Sequence, residues 1–277
     1  MGANVNGPSV IRCPNWLSGA LGRYHLYFAH HLGSYIRLAY SDHIEGPWSI
    51  HAPGVLDISD APMFYEHLAS PDVHVHEDTR EIRMYLHGVS DPNPWTEPQQ
   101  ATCLAVSADG LRFDVSRPFL GASYFRVWRC GGWCYAFSVG GALWRSRDGV
   151  TPFEQGRRPP GLPARTRHLA VLQRGRRLWV AWTVIGDAPE RIYLGWIDLS
   201  QDWSDWSIEG SQELLRPETA WEGAELPIEP SRPGVCVDPM NALRDPCFFC
   251  EDGVDYLLYA AAGENAIGIA KLSGLEI

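Results

Sequence analysis

Apolar and polar residues alternate in short runs along most of the chain, the two-residue period of half-buried strands. The runs are grouped. An apolar strand is followed by a polar turn, then by a second strand rich in Tyr and Trp, then by a third strand that ends in a charged turn. The first group is PSVIRC (8–13), YHLYFAHH (24–31) and YIRLAYSDHIEGPW (35–48). The same order returns from SPDVHVHED (70–78), from YFRVWRCGG (124–132), from RHLAVLQRGRR (167–177) and from RDPCFFCEDG (244–253), which makes five copies. Each copy supplies three or four strands, too few to bury both faces of its own sheet, and radial packing of five such sheets solves that problem. The pattern therefore predicts an all-β fold, a five-bladed β-propeller, as a single domain over 1–277. A two-sheet sandwich would explain neither the number of copies nor their shared order. The third-strand ends LAYSD, LAVSADG, LWRSRDG and LGWIDL place an Asp in each tight turn, where it can bond its own backbone. The Pro-rich stretches 52–68 and 204–243 read as connections that interrupt the repeat and cap a rim.

Composition narrows the partners. With 23 Lys+Arg against 33 Asp+Glu the net charge is −10, the wrong sign for a nucleic-acid binder. The aromatic content, 12 Trp, 11 Tyr and 9 Phe, belongs to a packed domain rather than a disordered one. No apolar run is long enough to cross a membrane, and the N-terminus lacks the basic and apolar regions of an export signal, so the expected location is cytoplasmic. Seven cysteines, an odd number, suit reduced thiols. GxGxxG, GxSxG and GKS/T are absent, and no His and carboxylate set has zinc spacing, so neither a cofactor nor a metal is expected. Trp128, Trp133, Trp144, Trp179, Trp182 and Trp196 fall within strands, where core packing accounts for them.

In a propeller the residues just before each innermost strand converge on one funnel. Here they are Asn6-Gly7-Pro8, Ser70-Pro71-Asp72, Ser123-Tyr124-Phe125-Arg126, Thr166-Arg167-His168 and Leu243-Arg244-Asp245-Pro246. Asp72, His74, Tyr124, His168 and Asp245 are the candidate catalytic groups. His30, His67, Arg126, Arg167 and Arg244 are the candidate substrate-binding groups. Period-two alternation puts His74 and His76 on the face of Asp72, and a neutral imidazole is the natural base near pH 7. Three guanidinium groups around one channel suggest a carboxylate, sulfate or phosphate on the ligand, unless each Arg pairs with a neighbouring acid and merely locks blades together.

The stretch SPDVHVHEDTREIRMYLHG resembles the second blade of family 43 glycoside hydrolases, where A-P-D-[IV] precedes a Tyr-rich strand. GPSVIR resembles that family's D-P-S-[IV]-[IV]-R, and RDPCFFCEDGVDYLLY resembles a further blade start of the same family. The resemblance implies a five-bladed propeller and a carbohydrate-active enzyme that takes an oligosaccharide or other small sugar substrate. It also implies three carboxylates on the first three blades: an Asp base, an Asp that tunes and orients, and a Glu acid. Carried over by residue, the tuning Asp falls on Asp72, the base position on Gly7 and the acid position near Ser123. Two of the three carboxylates are missing. The alternatives left open are hydrolysis through a displaced carboxylate such as Glu66, Asp245 or Glu225, elimination from a uronate by His or Tyr124 with Arg, sugar binding without chemistry, and a small-molecule isomerase or cyclase.

Overall fold

The structure is a computed structural model and describes residues 4–91 and 99–275. Five sheets follow one another along the chain, and the fold is a five-bladed β-propeller. Blade one holds β1 (Asn6–Arg12), β2 (Tyr24–Ala29), β3 (Tyr35–Ser41) and β4 (Ser49–Asp57). Blade two holds β5 (Tyr65–His76), β6 (Glu81–Asp91), β7 (Gln99–Ser107) and β8 (Asp114–Ala122). Blade three holds β9 (Arg126–Cys130), β10 (Trp133–Phe137), β11 (Leu143–Ser146) and β12 (Glu154–Gln155). Blade four holds β13 (Thr166–Arg174), β14 (Arg177–Val184), β15 (Ile192–Asp198) and β16 (Glu209–Leu215). Blade five has three strands, β17 (Arg244–Glu251), β18 (Val254–Ala261) and β19 (Ala266–Leu272). Every sheet is an antiparallel meander in sequence order.

The Tyr- and Trp-rich second strands are covered on both faces, which is why they read as nearly unbroken apolar runs: all of β2 and the middle of β14 are buried. The fourth strands are the opposite case. β4 and β16 lie at sheet edges: β16 is mostly exposed and β4 buries only the run Gly54, Val55 and Leu56, so neither shows an alternation. This corrects the sequence reading of 52–68 and 204–243 as mere connections, since β4 ends and β5 begins inside the first and β16 lies inside the second.

The charged turns behave as their sequence suggests. Asp109 Oδ1 accepts from the backbone N–H of Leu111 at 2.8 Å and of Arg112 at 2.9 Å, while Ser107 Oγ accepts from Gly110 N–H at 2.8 Å. Asp148 repeats this with Val150 and Thr151 at 2.9 and 3.0 Å. These bonds favour the ionised carboxylate and hold Asp148 down at about 2, against the opposing pull of burial. All seven cysteines are free thiols, and burial pushes Cys13 and Cys250 up to about 12, well away from nucleophilic use.

The chain forms two compact units, Asn6–Phe125 and the residues from Arg126 onward together with those before Asn6. The first contains blades one and two around a core of Tyr27, Ile36, Leu38, Leu68, Ile82, Met84 and Leu86. The second contains blades three to five. One of its cores gathers Phe137, Leu178, Val180, Trp182 and Trp206, and another gathers Ala181, Leu194, Leu243, Leu257 and Tyr259.

Candidate active site

The first strands start in a strained way. Gly7, Tyr124 and Asp245 have φ of +57°, +65° and +50° at or just before the heads of β1, β9 and β17. Ser70, at +50°, lies inside β5, which starts at Tyr65 and so corrects the expectation that Ser70-Pro71-Asp72 precedes the strand. Proline follows three of the four and has no N–H to give the ladder, so pairing breaks between Asn6 and Ser9, between Ala69 and Asp72, and between Arg244 and Cys247. A left-handed residue other than glycine costs about 1–3 kcal/mol, and such strain collects where a fold aims side chains for function.

In blade two the bulge aims Asp72. It lies opposite Tyr85 in the register, with His74 opposite Arg83 and Ala69 opposite His87, so Asp72, His74, Tyr85 and His87 share one face of the sheet. Asp72 is 8% exposed, and its Oδ2 lies 2.8 Å from Nε2 of His74, whose side chain keeps 33% of its surface in solvent. The His74 ring meets the Tyr85 ring edge-on at 5.8 Å. Further up the same face the buried His67 and His87 rings are T-shaped at 6.1 Å, and His87 lies 5.8 Å from Tyr124. Burial, aided by His31 and opposed by Glu66, lowers the pKa of His67 and keeps its imidazole neutral. Asp72, His74, His67 and Tyr124 are thus gathered in one unit. His87 joins them although the sequence reading passed over it. The available signal was its two-residue spacing from Tyr85, on a strand that pairs with the one carrying Asp72.

His30 sits in the turn after β2, at the end of the strand where Ala29 faces Asn6. Its Nδ1 accepts from Leu32 N–H at 3.0 Å, so that nitrogen shapes the turn. The position where the family resemblance puts a base is closed. A Cβ on Gly7 would lie 2.6 Å from Ser70 Cα, closer than any side chain can approach. Ser123, at the acid position, is buried and carries only a hydroxyl.

In the second unit Arg167 and Arg244 are bound inside the fold. Arg167 donates to Glu190 Oε1 at 2.7 Å and to Glu190 Oε2 at 3.3 Å, and also to the Arg232 carbonyl at 2.6 Å. Arg244 donates to Glu190 Oε2 at 2.9 Å and to Glu264 Oε1 at 3.3 Å, and Asn4 donates to Glu264 Oε2 at 2.8 Å. Glu190 and Glu264 are both 0% exposed, and Arg244 is 1% exposed. This corrects the expectation that Arg167 and Arg244 offer charge to a ligand: two carboxylates already compensate them, out of reach of solvent. Sequence reading could not find those carboxylates, because Glu190 and Glu264 fall in turns outside the repeated strands. Arg126 is likewise buried. His168 Nδ1 and Asp245 Oδ1 form a close pair between β13 and β17, with Asp245 fully buried. Among the described residues no group of His, Cys, Asp and Glu is arranged to hold a metal ion.

No protein-family profile matches the chain. Among solved structures, a thermostable family-43 glycoside hydrolase aligns with a TM-score of 0.69 at 12% identity, over 98% of this chain and 90% of the other. The GH43_1 enzyme of Xanthomonas citri complexed with xylotriose gives 0.68 at 13% identity over 99% and 88%, and the alpha-L-arabinanase of Cellvibrio cellulosa gives 0.60 at 14% over 98% and 91%. At such identities the likeness speaks for the fold, a propeller of the family 43 type. A curated relative is much nearer in sequence: the uncharacterized protein R118 of Acanthamoeba polyphaga mimivirus is 35% identical, over 97% of this chain and 83% of its own length. On that identity over nearly the whole chain, the protein belongs to the same family as R118.

Proposed function

We propose that the protein acts on a sugar or glycoside at blade two, with Asp72 and His74 of β5 as its acid/base pair. The observation that carries this reading is the 2.8 Å contact between a nearly buried carboxylate and a partly exposed imidazole, backed by His67, His87 and Tyr124. With Nε2 held by Asp72, Nδ1 of His74 is the nitrogen that exchanges a proton with substrate or water. Asp72 fixes the ring and stabilises the imidazolium formed in that step. Inverting hydrolysis by carboxylates on blades one and three is not part of the proposal, because it needs an acid and a base about 6.5–9.5 Å apart across the bond. The base position at Gly7 has no room for a side chain.

That closed position also favours a second reading, a sugar-binding propeller without chemistry. Calorimetric titration with xylo- and arabino-oligosaccharides, paired with product analysis by NMR, tests both. The proposal expects saturable binding that Asp72→Asn weakens about tenfold or more, and turnover that His74→Gln abolishes while binding survives. Binding without turnover selects the second reading. Absence of saturable binding to any of these sugars would refute both.

A further inference from the structure

We propose that blade four carries a separate ligand site for a small ring-bearing carboxylate, the chemistry of a uronate. A cavity of about 490 Å³ is lined by Pro163, Arg165, Trp182, Gly186, Asp187, Tyr193 and Ser211 among others, all from the second unit. Its size suits a sugar-sized molecule. The half-buried Tyr193 ring lines its wall, backed by the fully buried Trp182 ring, nearly parallel at 19° with centroids 6.1 Å apart.

The polar groups are arranged to favour an anion. Asp187 is already engaged: Tyr193 OH donates to its Oδ2 at 2.8 Å and Arg191 Nε at 3.0 Å. Burial and that bond to Asp187 raise the Tyr193 phenol, which keeps its proton. Arg191 also reaches Glu213 at 3.0 Å, and Glu213 is shared with Arg216. The surrounding charges are thus paired with one another, whereas Arg165 makes no ion pair among the described residues. Its guanidinium lies against Gly186, where an added Cβ would meet Nη1 at 3.4 Å, so the missing side chain leaves the arginine room along the cavity edge. An unpaired planar cation beside an aromatic wall is the arrangement that takes a carboxylate in two-pronged fashion while a ring packs beside it.

The test compares D-glucuronate with D-glucose by calorimetric titration. The parent protein is expected to bind glucuronate about tenfold more tightly than glucose, as a charge-assisted pair requires. Arg165→Gln, a surface change, should reduce the preference to within about twofold at an unchanged melting temperature. Equal affinity for the two sugars, or a preference that survives Arg165→Gln, would overturn the proposal. Asp72→Asn serves as the control. If it leaves glucuronate binding intact the blade-four assignment stands whatever becomes of the blade-two reading, and if it abolishes that binding the ligand belongs to blade two and the assignment fails.

Discussion

In blade two an aspartate inside the first strand meets a histidine that keeps a third of its side chain in solvent. At the heads of blades four and five, two arginines and the His168–Asp245 pair occupy the corresponding strands, and two glutamates from the loops between strands meet the arginines, closed away from water. The residue types are similar, and burial separates their roles. A fully paired buried network specifies structure and has little freedom to exchange protons, whereas a pair with one partner in solvent can do so. A cluster of ionisable residues at strand heads is therefore not yet a site. Whether the charges are already satisfied decides.

The largest effect should come from breaking the closed network. Glu190→Ala leaves Arg167 and Arg244 buried without their shared partner and should cost about 3–5 kcal/mol in denaturant unfolding. A loss below 1 kcal/mol would show that the arginines turn to solvent or to a ligand, and would dissolve the contrast. Next comes Gly7→Ala, which forces a side chain at φ +57° against Ser70 and should cost about 2–3 kcal/mol. Gly7→Asp should destabilise as much and confer no hydrolysis. If it restored hydrolysis, blade one would be shown to have room for a base.

Acid provides a third probe in blade one. Burial, with a contribution from His51, lowers His25 from 6.5 to about 4, so between those values the unfolded chain binds a proton that the folded chain refuses. Stability should then fall as pH drops from about 6.5 towards 4, by about 2 kcal/mol or more. In His25→Gln the slope over that window should flatten. The smallest expected effect is Asp148→Ala, which removes the acceptor of the blade-three turn and should cost about 1 kcal/mol without changing ligand affinity.

The sequence disclosed what repeats. Buried second strands such as YHLYFA and RLWVAWTV, the SxDG turns and the Pro-marked bulges recur, and the repetition exposed the blade count, whereas β5 starts at Tyr65, so Asp72 lies inside the strand rather than at its head. What depends on one long-range contact stayed hidden. Glu190 meets Arg244 across 54 residues, and nothing near either one announces the other. β16, EGSQELL, faces solvent along most of its length and so lacks the alternation that marks a strand. His87 was missed because its significance lies in cross-strand register, one pair along from Asp72 and Tyr85.

The most direct test of the contrast is the affinity of Asp72→Asn for xylo- and arabino-oligosaccharides, measured by calorimetry beside the parent protein. The proposed function puts Asp72 at a working site rather than in a structural network, so the predicted result is binding weakened about tenfold or more with folding stability changed by less than about 1 kcal/mol. Unchanged affinity in a stably folded variant, or a loss of stability as large as that of Glu190→Ala, would contradict it.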